Sequence, residues 1–366
     1  MTDAGRRTGT TQVYTWEPSN RAIAARYGLR PEDVVRFDTN TSPAAPDWLP
    51  EILGGPFDPP LNEYPDSEYE ELTAAIAAYA GVTPGEVVVG CGADEILDLV
   101  AKAMLPAGAA AILPVPSYGM YGVLTSQRAA RALVVPRHGP EQGFALDLER
   151  TIAALPEVSV VWLCDPNNPT GALEPAGSVE AVLEATARSA GPPPFVVVDE
   201  AYFEFTGRTV VGLHERWPNL IVVRTLSKAF ALPGARIGWA IAARQTIARL
   251  ETVRPPGSVS TISARLGAAA LARPGWMRAN VGRQVAERAR FAAGLGAVGW
   301  MAHPSVTNFL LVRIGDHEAA ESAAERLLHA GLVPRTFGPA NPLRGHLRLT
   351  VRSAAENDRL LRAVAA

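Results

Sequence analysis

The residues best suited to chemistry sit directly after short apolar runs. Gly90-Cys91-Gly92-Ala93-Asp94-Glu95 follows Val87-Val88-Val89, and Pro116-Ser117-Tyr118-Gly119 follows the run from Ala110 to Leu113. Asp165-Pro166-Asn167-Asn168-Pro169-Thr170-Gly171 follows Val158 to Cys164. Asp199-Glu200-Ala201-Tyr202 follows Phe195 to Val198. Thr225-Leu226-Ser227-Lys228 follows Leu220 to Arg224, with Gly234-Ala235-Arg236 close behind. Glycines let a backbone approach a ligand closely, and a helix N-terminus offers unpaired N–H groups, so the first segment is of a phosphate-cradle type. Asp94 and Glu95 have an ordinary alternative role, capping that helix and complementing its dipole. No Gly-Lys-Ser/Thr follows, and Glu95 stands where the dinucleotide fingerprint has its third glycine. Taken singly, Asn168 fits a plain turn, Tyr118 a core aromatic, and Lys228 and Arg236 solvated charges. Asp199 is different, because a carboxylate ending a buried run needs a partner. Together the segments place an aromatic ring, an amide, a carboxylate, a phenol, a lysine and an arginine at the mouth of one sheet. That is where open parallel sheets bind ligands.

Lysine is scarce. Lys and Arg together number 34, yet only Lys102 and Lys228 are lysine. At each of the two, the question is what an arginine could not do. The 366 residues suggest two domains at about 150 residues each, and 48% apolar with 19% charged residues is a globular composition. A net charge of −3 gives no ground for nucleic-acid or membrane binding through bulk charge. Two cysteines, Cys91 and Cys164, exclude a disulfide framework and a multi-cysteine metal site. Met1 to Gln12 has no apolar stretch of the secretory kind, and no run reaches the ~20 residues of a membrane span. The expectation is a cytoplasmic protein.

The elements that must position these residues alternate. Strands are expected at 87–89, 110–113, 132–135, 158–164, 195–198, 220–224 and 237–241. Helices are expected at 93–104, 117–128, 146–154 and 178–188. Runs that are apolar throughout suit strands covered on both faces, so the pattern predicts an α/β fold with a mostly parallel sheet flanked by helices. After Arg254, Pro255-Pro256-Gly257-Ser258 breaks the chain. Helices at 261–272, 276–295, 318–329 and 354–364, with short strands at 309–312, 332–334 and 347–351, read as a smaller α+β domain. Residues 46–254 are therefore expected to form the large domain. Residues 1–45 and 255–366 are expected to form the small one.

Five strings, "GADEI", "SYGMYG", "PNNPTG", "DEAYFEF" and "RTLSKAFALPGARIG", stand in the order and near the spacing of one family. They resemble the fold-type I aminotransferases that use pyridoxal 5'-phosphate, and within them the histidinol-phosphate aminotransferases. The resemblance runs from about Ala22 to Arg352. It implies that Lys228 binds the cofactor aldehyde as a Schiff base and later moves a proton, which needs a primary amine that arginine lacks. It implies that Asp199 pairs with the pyridine nitrogen, that Asn168 and Tyr202 bond the ring oxygen, and that Tyr118 stacks on the ring. The cofactor phosphate would rest on Gly92, Ala93 and Asp94, with Ser227 and Arg236. The tyrosine matching Tyr64 reaches that phosphate from a neighbouring subunit in the family, which implies a homodimer.

Arg348 would bind an α-carboxylate, and Arg335 the distal phosphate or carboxylate of the substrate, with Asn40 nearby. Three substrate positions depart from the family pattern: Thr41 replaces a glutamate, Glu17-Pro18-Ser19-Asn20 replaces a tyrosine, and Gly257 replaces an aromatic. The implied activity is amino transfer between an anionic donor, histidinol phosphate first among them, and 2-oxoglutarate/glutamate. The alternatives are a decarboxylase of the threonine-phosphate type and an aminotransferase for another amino acid, such as an aromatic one. A non-catalytic regulator that binds the cofactor would need a DNA-binding module, and the ~45 residues before the core carry no basic helix-turn-helix pattern.

Overall fold

A computed structural model describes residues 18–189 and 191–365. The expectations for Met1 to Gln12 and for Glu17 lie outside the described residues. Among the described residues twelve strands form: β1 Val35–Arg36, β2 Val87–Cys91, β3 Ala110–Val115, β4 Arg131–Pro136, β5 Val160–Cys164, β6 Phe195–Asp199, β7 Leu220–Thr225, β8 Ile237–Ala242, β9 Met301–Ala302, β10 Phe309–Arg313, β11 Leu332–Val333 and β12 His346–Thr350. Seven make one sheet in the order β2-β8-β7-β6-β5-β3-β4. It is parallel except at β8, which runs antiparallel to both β2 and β7. Residues 226–236 join β7 to β8 and are too few to carry a crossover helix, so the chain can only turn back.

The apolar runs do what their composition predicts. Alternate residues of one strand enter opposite cores: Val196 and Val198 join one cluster and Val197 the other. The helix Gly92–Met104 lays Ile96, Leu97 and Val100 on the second face, while Leu72 and Ile76 of the helix Glu70–Ala80 and Val182 of the helix Ser178–Thr186 cover the first. The sheet is thus sealed on both sides, and its strand ends are the open route to a ligand. This is an α/β fold with a large, mostly parallel sheet flanked by helices.

Each strand expected between Val87 and Ile241 forms, with ends shifted by no more than two residues. Two helices start later than expected. The one expected at 146–154 spans Leu148–Ala154. The one expected at 117–128 spans Met120–Gln127, because Ser117 instead turns its hydroxyl onto Asn167 Oδ1 at 3.1 Å. The helices Glu70–Ala80 and Arg244–Glu251 and the strands β1 and β9 add to the expected pattern.

Beyond residue 300, β12-β10-β9 form a second, antiparallel sheet. Its core gathers Leu310, Leu347 and Leu349 with Phe291 and Leu295 of the helix Pro274–Ala297, and with Phe37 from the other end of the chain. The N-terminal part is fixed there by backbone pairing: β1 lies parallel to β11, and Thr350 N–H donates to Phe37 O at 2.7 Å. Among the described residues no helix is long and apolar enough to cross a membrane.

One close approach decides where the first strand end meets the sheet. A Cβ on Gly238 would stand 2.4 Å from Gly92 C and 2.5 Å from Ala93 N, both backbone atoms that cannot swing away. Gly238→Ala should therefore push the start of the Gly92–Met104 helix off β8. Chemical denaturation should show a loss of about 1–3 kcal/mol, the usual cost of overpacking a core.

Candidate active site

A cavity of about 420 Å³ opens at the carboxyl ends of β5, β6 and β7. Cys164, Asp199 and Thr225 reach it from those ends, and Ala93 and Asp94 from the first turn of the Gly92–Met104 helix. Ser227, Lys228 and Arg236 come from the segment between β7 and β8. Asp38 and Asn40 follow β1, and Arg335 and Arg348 come from the second sheet region. The expected residues Tyr118, Asn168 and Tyr202 line it as well.

Lys228 and Asp199 share this space. Burial drives the Lys228 amine down to about 8, helped by the Arg348 guanidinium and opposed by Asp94 and Asp199. Burial raises the Asp199 carboxyl to about 6, against hydrogen bonds from the Tyr121 hydroxyl (2.8 Å) and Ala201 N–H (3.1 Å). At neutral pH Asp199 is thus mainly ionised, while roughly a tenth of Lys228 is free amine, far more than at the ordinary lysine value. Lys102 lies elsewhere, on the helix Gly92–Met104, and pairs with Asp98 at 2.6 Å.

The anion-seeking end is built on the same helix start. The N-cap Cys91 gives its helix no side-chain cap, which leaves first-turn N–H groups available. Gly92 adopts φ +79°, and a Cβ there would stand 2.5 Å from Arg236 Nη2. The glycine is what lets the guanidinium lie against the helix start. Arg236 Nη2 rests 3.3 Å from Asp94 Oδ2, and Tyr118 donates to Asp94 Oδ1 at 2.9 Å. Two residues expected to hold a phosphate, and one expected to stack on a ring, thus touch one another. Ser227 Oγ lies 2.9 Å from Thr225 Oγ1.

The opposite arginines are set by the other end of the chain. Arg348 Nη1 donates to Asn168 Oδ1 at 2.6 Å, and Arg348 Nη2 donates to Asp38 O. Asp38 is itself gripped by Arg36 through both carboxylate oxygens, at 2.8 and 2.6 Å. Arg335 and Arg348 face each other as a backbone bridge between antiparallel segments. Asn40 Nδ2 donates to Tyr202 OH at 2.8 Å, and burial pushes that phenol well above its ordinary value. The fourteen expected residues therefore divide. Twelve line this cavity; Gly92 stands directly behind it under Arg236; and Tyr64 is 90% exposed and lines none of it.

A larger cavity of about 620 Å³ runs along Pro56 to Leu72 and Thr261 to Arg265 and contains none of these residues. Its size carries no chemistry, since no lysine and no pair of convergent arginines reaches it.

Tyr121 is the residue the sequence reading does not assign. It is buried, donates to Asp199 and stacks on Trp162 at 5.5 Å with the rings 2° from parallel. Its signal was its place three residues after Tyr118 within the helix expected from Ser117, where the two would share one side of a turn. Asp38 carries no comparable signal, because Arg348, which donates to its carbonyl, lies about 310 residues away in the chain.

The donor set suits a flat heterocycle bearing an aldehyde and a phosphate. An amine is available for an aldehyde, a carboxylate for a ring nitrogen, and an uncapped helix start with Arg236 for a phosphate.

The profile of the aminotransferase class I and II family matches residues 35–364. The histidinol-phosphate aminotransferase of Thermoanaerobacter pseudethanolicus is 36% identical over 303 residues, which is 82% of this chain and 83% of that protein. The protein of the same name from Xanthomonas campestris pv. campestris is 37% identical over 321 residues, 85% of this chain and 87% of that one. A crystal structure of histidinol-phosphate aminotransferase from Sinorhizobium meliloti in complex with pyridoxal-5'-phosphate superposes with a TM-score of 0.86 at 26% identity, covering 100% of this chain and 98% of that one.

Tyr121→Phe removes a donor that stabilises the charged form of Asp199. A hydrogen bond to a charged group is worth about 1.5–3 kcal/mol, so the carboxyl should titrate about one to two pH units higher. Carbon-13 NMR of labelled aspartate would report that midpoint. An unmoved midpoint would show that the Tyr121 hydroxyl does not support the carboxylate.

Proposed function

The chain belongs to the aminotransferase class I and II family, and on that premise we propose that it exchanges an amino group between L-histidinol phosphate and 2-oxoglutarate/glutamate. It is an aminotransferase, and its cofactor is pyridoxal phosphate. Bound, that cofactor supplies an aldehyde and an electron-withdrawing ring that labilises a proton on the donor's amine-bearing carbon. The assignment of roles rests on one observation: Lys228, one of two lysines in the sequence, lines the same cavity as Asp199.

In this reading Lys228 holds the aldehyde through its amine. The same amine, brought to about 8 by burial, would also accept and return a proton at that carbon. Asp199 holds a proton on the ring nitrogen, and Tyr121 keeps Asp199 in its charged form. Tyr202 and Asn168 orient the ring through its oxygen, and Tyr118 covers one ring face. Ala93, Asp94, Ser227 and Arg236, with Gly92 behind them, hold the phosphate. Arg348 and Arg335 receive the substrate's anionic group, and Asn40 fixes Tyr202 beside them.

Histidinol phosphate and glutamate present a phosphate and carboxylates, and planar guanidinium forks bind both. The matched relatives carry the transaminase name at 36 and 37% identity. The decarboxylase and the aromatic-donor alternatives have no comparable support. We further propose that 46–254 acts as the cofactor-holding unit and 1–45 with 255–366 as the smaller one. The active enzyme in this reading is a homodimer, and the exposed Tyr64 serves the partner's phosphate site. A cytoplasmic location accords with this reading.

The test is a two-stage assay. L-glutamate should convert the loaded protein with release of 2-oxoglutarate, and histidinol phosphate should then turn over with 2-oxoglutarate. Lys228→Ala should lower both rates by at least about 10⁴-fold, because it removes a general base as well as a covalent anchor, while far-UV circular dichroism stays unchanged. Glutamate turnover without histidinol-phosphate turnover would remove the donor assignment and leave the class standing. Full turnover in Lys228→Ala would contradict the role given to that lysine.

A further inference from the structure

Lys228 sits in the short connection from β7 to β8, and that connection is tied down on its two sides by different means. Before the lysine, Thr225 Oγ1 donates to Ile237 O at 2.9 Å and accepts from Ser227 N–H at 3.1 Å. After it, the backbone bonds stay within the connection: Ala231 N–H donates to Lys228 O and Leu232 N–H to Leu226 O, both at 3.1 Å. Ala231 has φ +56°, a left-handed conformation that a residue with a Cβ adopts only at a cost. Among the described residues one hydrogen bond reaches residues 228–231 from another element. Asn280 Nδ2, on the helix Pro274–Ala297, donates to Ala229 O at 2.9 Å.

The helix that supplies this donor is held in both cores. Met277 joins the cluster on the large sheet, and Phe291 and Leu295 join that of the second sheet. Asn280 lies between them and is buried. A carbonyl can only accept, so the amide nitrogen must be the atom that faces Ala229. The amide oxygen is then left to accept from the Ser42 hydroxyl at 3.3 Å. Ser42 follows two residues after Asn40, which donates to Tyr202 OH at the cavity wall. Ala229 and Phe230 are buried among apolar side chains, so the Ala229 carbonyl would go unpaired without this donor. Asn280 is not one of the residues that line the cavity.

We infer that Asn280 is a positioning residue for Lys228: its bond to the next carbonyl fixes the backbone from which the amine reaches the cofactor aldehyde. The inference rests on the reading above, in which Lys228 binds that aldehyde. Lysine carries its amine on a long, flexible stem, so the tip follows any rotation of the backbone beneath it. A misplacement of ~1 Å at a reacting group can cost about 10²-fold in rate. The same amide holds Ser42, so the segment carrying Asn40 and the connection carrying Lys228 are set against one helix.

The test compares two ligands on the same variants. Pyridoxal phosphate can bond the amine. 4'-Deoxypyridoxine phosphate, with a methyl group in place of the aldehyde, can use only the ring and phosphate contacts. Asn280→Ala and Asn280→Leu both remove the donor, the first by shortening the side chain and the second at nearly constant size. Fluorescence titration of protein freed of cofactor should show Kd for pyridoxal phosphate rising by more than about tenfold in each, with the analogue within about threefold of its original value. At saturating cofactor, kcat with glutamate should fall by about 10- to 100-fold while KM stays within about threefold, because the arginines are untouched. An equal loss of both ligands would make Asn280 a structural residue only, and an unchanged Kd for pyridoxal phosphate would deny the contact any effect on the amine. Either result overturns the inference. The unchanged protein tests the reading beneath it. If it binds the aldehyde no more tightly than the methyl analogue, the role of Lys228 fails and that of Asn280 falls with it. If it prefers the aldehyde and both variants keep that preference, only the role of Asn280 fails.

Discussion

A lysine amine and an aspartate carboxylate are withdrawn from water at the open end of one sheet, and the rest of the site answers to that fact. Burial works against both charges, lowering Lys228 to about 8 and raising Asp199 to about 6. A fold tolerates such groups when something else meets them. Tyr121 and the Ala201 N–H meet Asp199 from the protein side. Lys228 is left poised between amine and ammonium, the state a nucleophile and proton carrier requires. The sheet provides the setting, since both of its faces are sealed and its strand ends are where side chains can converge on a ligand.

The second requirement is reach. Asn168 comes from the loop after β5, Arg348 from β12, and Asp38 and Asn40 from the stretch after β1. They are bonded to one another or to Tyr202. The backbone pairing of β1 with β11 and the bond from Thr350 to Phe37 bring the two ends of the chain to the same wall. A change in that pairing would reach the arginines without touching any residue that meets a substrate.

Much of this was legible in the sequence, for identifiable reasons. Runs such as Val196-Val197-Val198 fill both cores, so their composition alone marks a doubly covered strand. The chemistry-bearing residues follow those runs directly, which fixes their end of the sheet. The reversal of β8 was implicit in the short connection from β7 but needs the pairing to be seen. Tyr121 was hidden because a tyrosine three residues after another reads as ordinary helix packing until its hydroxyl is found on Asp199. The Arg36–Asp38–Arg348 chain was illegible, since it joins residues at opposite ends of the sequence and local pattern holds no information about such contacts. Tyr64 shows the opposite limit. Its exposure is plain in the fold, but its assigned role belongs to a neighbouring subunit.

The covalent partner of the cofactor is the point on which the whole account turns, and it can be read directly. The protein is loaded with pyridoxal phosphate, reduced with borohydride, digested and mapped by tandem mass spectrometry. The pyridoxyl phosphate mass is expected on the peptide containing Lys228, and none on the peptide containing Lys102. Modification of Lys102 in preference to Lys228, or of neither, would contradict it.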